Sequence, residues 1–265
     1  EVNVSFTEGY SPADGPTAAL AIGLLVESLL TNWELDPNCA PIGDLNADGS
    51  IQPVREVDQR ILAASPKMPI LGLPDQNRTD VVDLALTKGI KPVTDTQIFL
   101  LKTFDDAKAL AATHQARSAN LREAIELFNG VREKLNSGGM AALQEKSLQD
   151  DLKKIIELAP NHLSAQLLLA RATNRHARSL SLAGSVRLVL HAAVLLDGET
   201  SPKYGSFEEA YSDLSRKRPG LDPKTHPWLD TIGRYLTMKR RMTSNVSASQ
   251  RSRADTVSYT HLTLP

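Results

Sequence analysis

A hydroxyl at the start of a helix is the feature of this chain best suited to chemistry. In residues 10–19, Tyr-Ser-Pro-Ala-Asp-Gly-Pro-Thr-Ala-Ala, a Gly-Pro pair leads directly into an apolar helical run. Thr17 therefore stands where a helix exposes its unpaired backbone N–H groups and the positive end of its dipole. Such groups can stabilise an oxyanion while the hydroxyl attacks a carbonyl, provided that a neutral base removes the hydroxyl proton. Without a base, the same threonine is a first-turn residue whose hydroxyl caps backbone.

Other residue patterns point less sharply. Asp44-Leu45-Asn46-Ala47-Asp48-Gly49-Ser50-Ile51 has the ligand spacing that opens a calcium loop. Its last ligand position is Arg55 where a bidentate glutamate is needed, and Pro53 interrupts the exit helix, so a hairpin is the better reading. His114, His162, His176, His191, His226 and His261 show no metal-ligand spacing with one another or with Cys39, the single cysteine. Neither a metal nor a cofactor is expected. Lys239-Arg240-Arg241, with Arg234 nearby, lacks interleaved aromatics and reads as a solvated helix end. Asn3-Val4-Ser5 and Asn77-Arg78-Thr79 fit the glycosylation sequon, which matters only in a secreted eukaryotic chain.

The elements that must position Thr17 follow from periodicity. Val2, Val4 and Phe6 alternate with polar residues and predict a strand over 2–6 that delivers the turn. The run 18–30 predicts a helix buried on most sides, with Pro16 in its first turn. After a loop over 33–41, strands at 42–45 and 50–54 flank an Asp-Gly turn. A helix at 55–64, a strand at 68–73, a helix at 78–88 closed by Gly89, a strand at 96–102 and a helix at 105–112 follow. Strands alternating with helices make residues 1–112 a layered α/β domain. From Asn120 onward the pattern is helical alone, with segments at 121–135, 140–158, 163–175, 182–196, 206–214 and 227–238. A linker is expected at 113–119, a helical region at 120–242 and disorder at 243–256.

Asp14-Gly15-Pro16-Thr17-Ala18 resembles the Asp-Gly-Pro-Ser-Ala turn that carries the nucleophile of Lon-type (S16-like) peptidases. Gly43-Asp44-Leu45, Gly49-Ser50-Ile51-Gln52-Pro53-Val54, Arg60-Ile61-Leu62-Ala63-Ala64, the strand ending at Leu73-Pro74 and Asn77 follow in the order of that family. The resemblance covers residues 2–112 and implies an α+β fold of the ribosomal protein S5 domain 2-like kind, its opening strands lying upstream. It also implies a serine-type endopeptidase with a Ser-Lys dyad, in which Asp14, Gly15, Pro16 and Ala18 shape the oxyanion turn. Here the nucleophile position holds Thr17, and the lysine position, 43 residues further on, holds Arg60. Arginine stays protonated, its pKa being above about 12, and cannot act as the base. Ile42 stands where the family has a threonine that hydrogen-bonds the lysine.

These substitutions predict a pseudo-enzyme that acts by binding protein or peptide. A peptidase using Thr17 with a base from elsewhere is the alternative, and a helical interaction module on a structural scaffold is a further one. Residues 152–172 resemble the junction of two tetratricopeptide-type repeats, and an antiparallel helical hairpin explains them as well. The family resemblance also makes a homo-oligomer an expected assembly.

Composition sets bounds on partners and compartment. A net charge of −1 gives no global field for nucleic acid, and no apolar run of about 18 residues exists to span a membrane. One cysteine excludes an intrachain disulfide and fits a cytoplasmic location, although a signal peptide could precede a chain that opens without methionine. No GxxxxGK[ST] nucleotide motif occurs. Residues 257–265 read as a translated sequencing adapter from a metagenomic fragment.

Overall fold

The computed structural model describes residues 15–65, 67–194 and 207–243. The strand expected at 2–6, the sequon at Asn3, Asp14, and the segments 244–256 and 257–265 lie outside the described residues. The chain divides into two units, residues 1–177 and 178–265.

Along the first unit run α1 (Gly15–Thr31), β1 (Cys39–Pro41), β2 (Asp44–Leu45), β3 (Ile51–Gln52), α2 (Val57–Ala64) and β4 (Ile70–Pro74). Then come α3 (Arg78–Lys88), α4 (Lys91–Asp95), β5 (Gln97–Leu101), α5 (Phe104–Ala111), α6 (Ala119–Gly138), α7 (Lys146–Leu158) and α8 (Leu163–Ala172). β1, β4 and β5 form a parallel sheet in that order, with Ile70 opposite Cys39 on one side and Gln97 on the other. β2 and β3 form a separate antiparallel hairpin.

The continuous apolar runs of β4 and β5 are buried on both faces, as parallel strands require. Leu71, Leu73, Ile98 and Leu100 pack with Ile61 of α2 and with Val81 and Leu84 of α3. Phe99 and Leu101 belong to the opposite cluster, with Leu20 and Leu24 of α1 and Leu110 of α5. Side-chain alternation thus divides one sheet between two cores. This α+β arrangement is the one expected for the first 112 residues.

The first unit runs well past the linker expected at 113–119. Phe128 of α6, Leu152 of α7 and Leu168 of α8 join the same core as Phe99. The outer edge of β5 explains why. Its Leu100 N–H donates to the Asn161 carbonyl at 2.9 Å, Asn161 Nδ2 donates back to the Leu100 carbonyl at 3.0 Å, and Ile98 N–H donates to Ser164 Oγ at 2.9 Å. The turn between α7 and α8 therefore satisfies an edge that would otherwise stay open. The segment between α5 and α6 is also fastened down. Arg117, 5% exposed, donates twice to the Leu110 carbonyl and pairs with Asp36 at 2.8 Å.

Element bounds differ at several places. Residues 39–41, expected in a loop, form β1, because three residues without alternation become a strand only by pairing with β4. The helix expected from Met140 begins as a 3₁₀ segment, Gly139–Gln144, and α7 starts after Glu145 adopts extended backbone. α2 starts at Val57, after a left-handed Glu56 at φ 54°. α4 differs from the expected pattern; it starts at Lys91, with Pro92 in its first turn.

In the second unit, α9 (Leu182–Val194), α10 (Phe207–Arg216) and α11 (His226–Thr243) bury Val189, Ala210, Leu214, Leu229 and Ile232. Leu195 and Leu196, expected to end α9, lie outside the described residues, whereas Thr243, expected in the disordered tail, closes α11. Among the described residues no helix is long and apolar enough to cross a membrane.

Candidate active site

The first turn of α1 holds the candidate nucleophile. Gly15 opens the helix, Pro16 is second and Thr17 third, the place predicted from the Gly-Pro pair. Leu20 and Leu24, at most 1% exposed, anchor the helix on the sheet. Leu20 N–H donates to the Gly43 carbonyl at 3.1 Å, which ties the start of α1 to the segment entering β2. A Cβ on Gly43 would lie 2.6 Å from Ile51 Cγ2 and 3.2 Å from Leu20 Cδ2. The glycine of Gly43-Asp44-Leu45 is therefore fixed by close approach of helix and hairpin.

Ile42 packs against the other core, as does α2 through Val57 and Ile61. Ile42 donates its N–H to the Gly72 carbonyl at 2.9 Å, and its side chain packs against the cluster that contains Val54 and Leu73. An aliphatic side chain offers a base no hydrogen bond. Arg60 lies in α2, where its Nε donates to the Arg55 carbonyl at 3.0 Å. Asn77 fixes the segment between β3 and α2. Its Oδ1 accepts from Val54 N–H and its Nδ2 donates to the Val54 carbonyl, both at 3.0 Å, while the same nitrogen donates to Asp80 at 2.8 Å. The asparagine of the motif thus replaces a strand partner for Val54.

The acidic residues of the hairpin serve the turn. Asp48 Oδ1 accepts from Ser50 N–H at 2.9 Å, Asp44 Oδ1 accepts from Leu45 N–H at 2.9 Å, and Gly49 supplies φ 82°. The hydrogen bonds from Ser50 hold the Asp48 carboxyl below the usual carboxylate range. Lys67, Lys88 and Lys102 are exposed. Cys39 is pushed up to about 12 by burial, so it is a thiol rather than a thiolate at neutral pH.

The structure assembles a polar network that sequence reasoning passed over. His162 is wholly buried between Phe99 and Phe128, with ring centroids 4.3 and 4.6 Å away. Its Nδ1 accepts from Ala165 N–H, capping α8, so Nε2 carries the proton that is donated to Gln97 Oε1 at 3.2 Å. Gln97 Nε2 donates in turn to the Ile125 carbonyl and to Asn129 Oδ1. Arg132 Nη2 donates to the same Asn129 oxygen at 2.9 Å, and Nη1 donates to the Asp95 carbonyl. The only signal in the sequence is a polar Asn161-His162 pair followed by Ser164 between two apolar helices.

Residues 1–109 match the family model of the Lon protease (S16) C-terminal proteolytic domain. This segment is similar to part of a Lon-type proteolytic domain. Curated relatives agree: a Lon protease of Trichlorobacter lovleyi is 32% identical over 101 residues, covering 37% of this chain and 12% of the relative. A Lon protease of Paraburkholderia phytofirmans is 29% identical over 108 residues, 40% of this chain and 13% of the relative. A peroxisomal Lon protease homolog 2 of Eremothecium gossypii is 38% identical over 78 residues, 29% and 8% of the two chains. The chain thus spans 8–13% of the length of these relatives. The match ends within α5, so the Lon-type segment supplies the sheet and α1–α5, and the helices that close the β5 edge lie beyond it.

Proposed function

We propose that this chain carries a Lon-like peptidase site that has lost its general base, and that it acts by binding protein or peptide. Arg60 carries this reading. It occupies the position where the family resemblance places the lysine of the dyad, and a guanidinium does not become neutral near pH 7. Ile42, packed into the apolar cluster, adds that the position expected to support a lysine offers no acceptor. Thr17 in the first turn of α1 supports a retained frame that lacks its proton acceptor. The binding surface is placed on helices α6–α8, which are continuous with the sheet in one unit. A tetratricopeptide-like character of the helical region, a homo-oligomeric assembly and a cytoplasmic location belong to the same proposal.

Casein cleavage and labelling by a peptidyl boronate test it. The unaltered chain is expected to show no Thr17-dependent reaction with either, and Thr17→Ser combined with Arg60→Lys is expected to gain hydrolysis. Cleavage by the unaltered chain that disappears in Thr17→Ala overturns the proposal.

A further inference from the structure

A cleft of about 380 Å³ opens in the first unit at the leading ends of β4 and β5, where Ile70 and Gln97 stand. Pro37, Pro69, Ile70 and Ile125 give it apolar walls, and Asn129 and Arg132 of α6 line it with polar groups. We propose that it binds a ligand bearing a carboxylate on a small apolar body, with the carboxylate against Arg132 and Asn129. This inference does not rest on the loss of the dyad.

The charge at the cleft carries the assignment. Arg117 and Asp36 line the cleft but pair with each other at 2.8 Å, and His114 hydrogen-bonds Glu126 at 3.0 Å. Arg132 is different. Its hydrogen bonds go to two neutral oxygens, the Asp95 carbonyl and Asn129 Oδ1, and among the described residues no carboxylate stands within ion-pair distance. A half-buried guanidinium fixed by neutral acceptors and lacking a countercharge favours an anion. Asn129 is oriented for the same task. Its Oδ1 accepts from both Gln97 and Arg132, so its Nδ2 is turned away from them and donates to no group among the described residues. The chain His162–Gln97–Asn129 places this donor from inside the core, so it is organised before any ligand arrives.

One uncompensated guanidinium with apolar walls suits the single planar charge of a carboxylate better than a phosphate, which draws several cations. The volume lies at the lower end of the range for small-ligand sites, roughly 300–1,000 Å³. The carboxylate can belong to a free small acid or to the C-terminus of a peptide ending in an apolar residue.

Isothermal titration calorimetry of the full chain with N-acetyl-leucine, and with a Leu-terminated tetrapeptide as free acid and as amide, tests the site. Saturable binding with Kd of about 0.1–1 mM is expected for at least one free acid, with none for the amide. Tighter binding of the tetrapeptide acid identifies a peptide terminus, and equal or weaker binding identifies a small acid. Arg132→Gln should weaken binding by about tenfold or more. Pro37→Glu, at an exposed rim position outside the hydrogen-bond network, should do the same by repulsion if Arg132→Gln fails to fold. No saturation by either acid at about 10 mM overturns the proposal. So does equal binding of the amide, inorganic phosphate binding more tightly than both acids, or undiminished binding in a folded variant.

Discussion

His162 shows how much one buried side chain decides in this protein. Burial between two phenylalanines pushes its imidazole down to about 3 from an ordinary 6.5, so the folded state holds it neutral. A base whose folded pKa is depressed contributes stability that is complete above its unfolded pKa and is lost as pH falls toward the folded value. The window here runs downward from about 6.5 toward 3. Between pH 7.5 and pH 5.0 this group alone should cost about 2 kcal/mol of stability. Urea unfolding of the native chain and of His162→Asn, which keeps an acceptor at the cap, measures it. The pH sensitivity of the variant should be smaller by that amount, and equal sensitivity in both proteins would show that His162 is not the group responsible. In the sequence only the polar Asn161-His162 pair followed by Ser164 sets this histidine apart, and its aromatic neighbours come from elements far away in the chain.

At the scale of elements, the Lon-type segment is held in register by side chains acting as strands. Val54 belongs to no ladder, yet both its backbone groups are bonded to the buried amide of Asn77. Asn77→Ala leaves a buried N–H and a buried carbonyl unpaired at about 1–3 kcal/mol each. A loss of about 2–6 kcal/mol is therefore expected from denaturant unfolding. Asn77→Asp should recover only the Val54 N–H bond, because an ionised carboxylate cannot donate to the carbonyl. A loss below about 1 kcal/mol in Asn77→Ala would show that water replaces the amide. Much of this level was legible beforehand. The apolar runs of β4 and β5, the Asp-Gly hairpin and the Gly-Pro helix start each follow from local chemistry, and α3 has the bounds its pattern predicts. β1 and α4 were not legible, since each is short and β1 exists only through its pairing with β4.

For the whole molecule, the question is where a folding unit ends. Composition changes at residues 113–119, and a break there is a natural expectation, but the sheet does not close until Asn161 and Ser164 reach the edge of β5. A fragment ending at Ala112 should lack cooperative thermal unfolding, whereas one ending at Ala177 should unfold in a single transition by circular dichroism. Cooperative unfolding of the shorter fragment would restore the earlier boundary. The sequence by itself determined the Gly-Pro helix start at Thr17, the likeness of residues 1–109 to a Lon-type proteolytic domain and the arginine at position 60, because these depend on residue type and near-neighbour spacing. Only the tertiary structure decided that α6–α8 complete the sheet, that Arg117 and Asp36 form an ion pair, and that Arg132 and Asn129 of α6 face a cleft walled by Pro37, Pro69 and Ile70. Those outcomes rest on contacts between residues distant in the chain, and burial gives them their energy, a quantity that residue spacing alone does not contain.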